Sequence, residues 1–204
     1  MIYFRSDDHL MHRNICLDQG DKSYTQRHKV WGDSTEDMTY GLIENHNSVV
    51  EDEDMVYFLG DVVMGKVAES LPLLSLMKGR KRLILGNHDR PHPCNKKTGN
   101  WFAKYYEYFE WIGIQDRIEI AGRKVALCHF PYKGDSHDKD RFGDYRPEHT
   151  SDVLLHGHVH SEKWDFGERM IHIGVDSNWL EFGVKRYHPI PITAIEAAIK
   201  LKGY

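Results

Sequence analysis

Five times along this chain a short apolar run ends and a cluster of Asp, Asn, His and Gly begins. Asp7-Asp8-His9 follows Ile2–Arg5, and Gly60-Asp61 follows Met55–Leu59. Gly86-Asn87-His88-Asp89 follows Arg82–Leu85, His129 ends Lys124–Cys128, and His156-Gly157-His158-Val159-His160 ends Val153–Leu155. The runs are rich in Val, Ile, Leu and aromatic residues, and polar or glycine-containing turns bound most of them, which is the pattern of buried strands. In open α/β sheets, ligands bind in the crevice outside the carboxyl ends of the strands. If these strands are neighbours, the clusters converge on one place.

The clusters have the chemistry of metal ligands. In an extended chain, residues i and i+2 point the same way, so Asp7 and His9 can offer an oxygen and a nitrogen to one ion. His158 and His160 present two imidazoles, for one ion or for two neighbouring ones. Glycines 60, 86 and 157 let the backbone turn sharply and come close. Carboxylate, amide and imidazole donors without a thiolate suit Mn, Fe, Zn, Co or Mg, and do not select among them. Each piece also has a plainer reading: Asp7-x-His9 as a cap or turn, Gly60-Asp61 as a strand-to-loop turn, His129 as a hydrogen-bonded core histidine. It is the ordered set that favours ligation.

A sixth strand is expected over Met170–Val175. Helices are expected over Thr35–His46, with Ser34 as N-cap and Asp37 at the N3 position of a capping box, and over Val67–Met77, where Pro72 must sit in the first turns or kink it. Two more are expected over Asn100–Trp111, a heavily aromatic segment, and Pro191–Leu201, capped by Thr193. Strands alternating with helices in the first half predict a largely parallel sheet. The closer strands after about residue 115 predict an antiparallel or mixed second sheet. The fold class is therefore α/β (α+β), in one domain over residues 1–204, a length that one core accounts for. Two segments read as loops, Arg90–Asn100 and Pro131–Thr150. The second is long, polar and rich in Gly, Asp and His, as functional or disordered loops are.

Composition narrows the setting. No apolar run approaches the ~18 residues of a membrane span, and the start MIYFRSDDHL lacks a secretory pattern. Cys16, Cys94 and Cys128 are few and not in C-x-x-C spacing, which fits a reducing cytoplasm better than a disulfide framework. A net charge of -4 argues against coating nucleic acid by bulk positive charge, so no obligate nucleic-acid or membrane partner is expected. Cations in a cleft would reverse the sign locally.

The ordered motifs D-x-H, G-D, G-N-H-D, H and G-H-x-H resemble those of the calcineurin-like metallophosphoesterase superfamily, from Asp7 to His160. Their style, and the chain's length, look most like the small bacterial and phage members. The resemblance implies a four-layer fold, a central mixed β-sandwich flanked by helices. It also implies two divalent ions, Mn before Fe, Zn, Co, Ni or Mg. The first would take Asp7, His9 and His160, the second Asn87, His129 and His158, with Asp61 bridging both. His88 matches the family's catalytic histidine, and Asp89 would hold its ring in orientation. Attack by a metal-bridging hydroxide on a small, nucleotidic phosphodiester such as a cyclic nucleotide is the implied reaction, with a nuclease or broad phosphomonoesterase as the alternative.

Departures from the family pattern bear on substrate. Protein phosphatases of the superfamily carry Asp-Arg-Gly after the Gly-Asp motif, whereas this chain reads Gly60-Asp61-Val62-Val63-Met64-Gly65. The arginine that would grip a phosphoprotein is missing there. His12 and Asn14, just beyond the first ligand pair, are candidate phosphate contacts, or they close a turn. Arg90 could clamp a phosphate through its planar fork, or form a surface salt bridge. His156 reads as packing behind the paired histidines, and Lys78-Gly-Arg-Lys-Arg82 as a solvated turn. A non-catalytic scaffold would be expected to lose ligands or His88, and this chain keeps them all.

Overall fold

The computed structural model describes residues 1–20, 23–96, 98–135 and 139–204. Nine strands among them form two sheets. The first holds β1 (Ile2–Arg5), β2 (Met55–Phe58), β3 (Arg80–Ile84), β4 (Trp111–Gly113) and β9 (Ile190–Pro191) in the order β4-β3-β2-β1-β9. The second holds β5 (Gln115–Ile120), β6 (Arg123–Cys128), β7 (Val153–His156) and β8 (Met170–His172) in sequence order. β1 to β4 pair in parallel, and β9 adds an antiparallel edge. In the second sheet β5 is antiparallel to β6, and β6, β7 and β8 are parallel, so this sheet is mixed.

Period-two alternation explains why the strands read as continuous apolar runs. On β1, Phe4 faces the second sheet while Tyr3 faces the helices; on β6, Val125 and Leu127 face inward while Ala126 and Cys128 face out. Both faces are buried, so no polar side is left to interrupt the run. The sandwich interior joins Phe4, Tyr57, Leu59 and Ile84 to Val125, Leu127, Leu155 and Ile171. Met38, Leu42, Leu71 and Leu74 cover the outer face of the first sheet. Over the outer face of the second lie Phe130, with Tyr132, Phe142 and Tyr145 of the 131–150 segment.

The register positions the site. Arg5 pairs with Phe58 and Phe58 with Leu83, so the segments after β1, β2 and β3 leave the sheet side by side. Leu127 pairs with Leu155, which does the same for His129 and the segment after β7.

Of the helices, α1 (Arg13–Cys16) and α2 (His28–Trp31) are single turns, and α3 (Thr35–Asn47) is the long one. Ser34 caps α3, its Oγ accepting the Asp37 N–H at 3.1 Å. Two helical expectations are corrected by backbone chemistry. α4 (Val67–Ser70) gives way at Pro72 to a 3₁₀ stretch, Leu71–Leu76, because proline supplies no N–H for the α ladder. α5 is only Trp101–Tyr105, and Trp111, expected at its end, starts β4 instead. The aromatic periodicity there reflects Tyr105 and Phe109 packing into the core from a turn. The last helix, α6 (Ile192–Lys202), begins after Pro191, so Thr193 lies inside it and is not its cap.

Candidate metal centre

Four of the five clusters line one cleft, of about 180 Å³, with His9, His12, Asn14, Ile15, Tyr24, Asp61, Asn87, His88, Arg141, His158 and His160 on its wall. His129, the fifth, and Asp7 are fully buried behind it, with His129 Nε2 3.4 Å from Asp61 Oδ2. The loops that carry them are sewn together by backbone bonds. Asp7 N–H donates to Gly60 O at 3.0 Å and His9 N–H to Asp61 O at 2.9 Å. Gly157 N–H donates to His129 O at 3.0 Å, and His158 N–H to the Asp7 carboxylate at 3.0 and 3.2 Å. Such approach needs glycine: a Cβ on Gly157 would lie 2.0 Å from Ser6 Oγ and 2.4 Å from Asp7 Oδ2. At Gly60, where φ is +90, it would lie 2.4 Å from Gly86 N.

The way the side chains converge differs from the extended-strand expectation. Asp7, His9, Asp61, His158 and His160 all have left-handed backbones, with φ of 61, 50, 54, 72 and 48. Left-handed geometry at a non-glycine residue costs of order 1–3 kcal/mol and persists where the surroundings enforce it. Five such residues around one cleft mark a site whose ligand geometry takes precedence over backbone comfort.

Two donor groups result. One atom each from Asp7, His9 and His160 lie within 4.8 Å of one another, and so do atoms of Asp7, Asp61 and His129. Asp7 thus belongs to both groups, where sequence reasoning placed it in the first alone. Asp61 Oδ2 stands 3.6 Å from His9 Nε2 and 3.4 Å from His129 Nε2, between imidazoles assigned to different ions. Asn87 Oδ1 and the Nε2 atoms of His9, His129 and His158 are buried and lack a hydrogen-bond partner among the described residues. Buried polar atoms are seldom left so, and these are the atoms that two divalent cations would satisfy. The donor set fits such ions.

The ring orientations are set from behind. His129 gives Nδ1–H to Leu59 O at 2.7 Å, which turns Nε2 to the cleft. His160 Nδ1 lies 3.4 Å from Asp176 Oδ2, and Asp176 in turn accepts from Arg27 Nε and Nη2, both at 2.9 Å. Arg27 also donates to Asp7 O at 2.6 Å and Asp8 O at 2.7 Å. A carboxylate behind a metal-binding imidazole is a recurring arrangement that fixes its tautomer. Behind these, His156 is fully buried with Nδ1 on Gly157 O at 2.9 Å, and it packs against Phe166 and His172.

Protonation follows burial and charge. Burial drives His9 well below the ordinary imidazole range and His158 to about 4. His129 is pushed the other way: burial would lower it, but the Asp61 carboxylate beside it raises it to about 9. A proton there answers the same negative charge that a cation would.

Two sequence expectations are corrected. Asp89 does not orient the His88 ring. Its buried carboxylate accepts the backbone N–H groups of Gly86 at 2.8 Å, Asp61 at 2.9 Å and Val62 at 3.2 Å, clamping two ligand loops together. Burial, and after it the Asp61 charge, raise Asp89 to about 7. Arg90 is exposed and absent from the cleft lining, because the turn that aims Asp89 inward aims its neighbour outward. Its N–H donates to the Tyr105 hydroxyl at 3.4 Å. His12 and Asn14 do line the cleft, as does His88, whose N–H donates to Asp61 Oδ1 at 2.8 Å.

Sequence reasoning missed Asp176, Arg27, Tyr24 and Arg141. Asp176 had a signal, since it directly follows the apolar run Met170–Val175. The other three lie in irregular segments with no local pattern.

Among the described residues, no helix is long and apolar enough to cross a membrane. Residues 36–175 match the family model of the calcineurin-like phosphoesterase superfamily domain. The Gene 66 protein of Mycobacterium phage L5 is 34% identical over 188 residues, covering 86% of this chain and 86% of that protein. The Gene 66 protein of Mycobacterium phage D29 is 32% identical over 187 residues, covering 86% and 88%. A solved structure, a protein of unknown function from Aquifex aeolicus, shares the fold with a TM-score of 0.64 and 25% identity, covering 98% of this chain and 99% of that one. This chain belongs to the calcineurin-like phosphoesterase superfamily, whose members are metal-dependent hydrolases of phosphoester bonds.

Proposed function

We propose that this protein is a dinuclear phosphodiesterase of small, nucleotidic esters such as cyclic nucleotides, with manganese as the preferred metal. The observation that carries the dinuclear reading is the set of buried, unpartnered donors His9 Nε2, Asn87 Oδ1, His129 Nε2 and His158 Nε2 around Asp61. Two divalent ions, when bound, supply Lewis-acid charge for the phosphoryl oxygens and acidify water near neutral pH. Asp7, His9 and His160 would hold one, Asn87, His129 and His158 the other, and Asp61 both.

The chain's own residues then divide the work. His88 stands exposed at the cleft, with its backbone fixed on Asp61 Oδ1, and gives a proton to the leaving oxygen. His12, pushed down to about 4 by burial, is neutral at working pH and serves as a hydrogen-bonding contact to the phosphate. Tyr24, 52% exposed at the cleft, offers an aromatic face to a base. A cleft of about 180 Å³ suits a single phosphate and its near substituents.

The test is product analysis on cyclic nucleotides, single-stranded nucleic acid and phosphomonoesters, using chelator-stripped protein reloaded with each metal in turn. The expected result is no turnover when stripped, recovery with Mn, and a nucleoside monophosphate from the cyclic substrate. Full turnover after stripping would sink the metal-dependent mechanism. Faster release from monoesters, or from polynucleotide, would replace the diester reading by a monoesterase or a nuclease.

A further inference from the structure

None of the described residues of the segment 131–150 belongs to the proposed metal set, yet one of them, Arg141, lines the cleft. Among the described residues, Arg141 is the only permanently cationic side chain lining it. It is held there by a built arrangement. Its Nε and Nη2 donate to the Asp135 carboxylate at 3.2 and 2.7 Å, and its backbone N–H donates to Asp135 Oδ2 at 3.1 Å. The Asp135 side chain is 1% exposed, whereas that of Arg141 is 41% exposed. The guanidinium also lies over the Phe142 ring, 5.1 Å from its centroid, and Phe142 stacks on Phe130 at 5.0 Å. Asp135 Oδ1 is 3.3 Å from His158 Nε2, so the pair stands beside the candidate metal centre.

We propose that Arg141 is the residue that grips the substrate's phosphate, and that Asp135 positions it. The guanidinium carries five donor N–H groups in a fixed fork, and Asp135 engages one edge. The remaining edge, with Nη1, makes no hydrogen bond among the described residues, on a side chain that lines the cleft, and its planar fork matches two phosphoryl oxygens. The stretch Gly60-Asp61-Val62-Val63-Met64-Gly65 holds no arginine, and Arg90 is exposed outside the cleft lining. The 131–150 segment supplies one from the other side of the site. This assignment rests on the proposed phosphoesterase chemistry for its substrate class, a phosphate ester anion.

The experiment uses the full-length, metal-loaded protein with inorganic phosphate and bis(4-nitrophenyl) phosphate as probes. Calorimetric titration should show phosphate binding weakened ~10–100-fold in Arg141→Ala, and less in Arg141→Lys, which keeps charge but loses the fork. Both variants should retain the wild-type metal content, since Arg141 touches no donor atom of the ligand set. In steady-state kinetics the loss should fall mainly in KM for Asp135→Asn, in which the guanidinium is present but less well held, and kcat should stay near wild type. Unchanged phosphate affinity in Arg141→Ala would overturn the assignment even if the wild type hydrolyses every ester offered. Phosphate binding that depends on Arg141 in a protein that hydrolyses none would support the grip while removing the hydrolase reading.

Discussion

Asp176→Asn removes the negative charge that pairs directly with the buried Arg27 guanidinium. The Asp176 side chain is 3% exposed and the Arg27 guanidinium fully buried, joined by two hydrogen bonds of 2.9 Å. Without the carboxylate, Arg27 keeps, among the described residues, the carbonyls of Asp7 and Asp8 and a long contact with Met38 Sδ at 3.8 Å. Breaking a buried pair by removing one partner costs roughly 3–5 kcal/mol, because the other charge stays buried. That is a large part of the ~5–15 kcal/mol that holds most domains folded. The carboxamide keeps the shape and one acceptor, so a loss at the lower end of that range is expected.

Metal binding should fall unequally. His160 loses the group behind Nδ1, and substitutions of that kind typically cost ~10–100-fold in affinity, or about 1.4–2.8 kcal/mol. An ion at the proposed Asn87, His129 and His158 set would have no contact with Asp176 and should keep its affinity. Calorimetric titration of metal into stripped protein reads both sites, and thermal or urea unfolding of the same protein reads stability. The pH arm has a definite sign. Burial works to raise the Asp176 pKa, but Arg27 and His160 hold it well below the ordinary carboxylate range. A depressed pKa contributes stability that is present above the unfolded value, ~3.9, and is lost as pH falls below it. The stability gap between wild type and Asp176→Asn should thus be fully present at pH 5 to 6, below the range of His160, which Asp176 raises, and shrink below about pH 4. Equal weakening of both metal sites would mean general loosening of the fold, and unchanged affinity at both would refute the positioning role.

Asp61→Ala should release both ions together, because its carboxylate faces His9 and His129 at once; metal analysis that finds two tightly held ions would disprove the bridge. His88→Asn should keep both metals while kcat falls ~10²–10⁴-fold, more for an alkoxide than for a nitrophenolate leaving group. Equal losses on both substrates would instead make His88 a phosphate-positioning residue.

The sequence by itself determined the donor inventory and the order in which it is presented. An apolar run buried on both faces must end where the sheet ends, and the residue types that follow were legible as Asp7-Asp8-His9, Gly60-Asp61, Gly86-Asn87-His88-Asp89, His129 and His156-Gly157-His158-Val159-His160. Strand pairing, the left-handed backbone at five donors, and the direction of each side chain were decided by the tertiary structure. Asp89 shows the limit: its neighbour His88 suggested a partner, but the buried carboxylate takes three backbone N–H groups, and two of them, of Asp61 and Val62, belong to another loop 28 and 27 residues away. The Arg27–Asp176 pair spans 149 residues and Arg141 enters from an irregular loop. Periodicity and local spacing report only on neighbours along the chain, whereas charge pairing and hydrogen bonding depend on distances of 3 to 4 Å that exist only once the chain has folded.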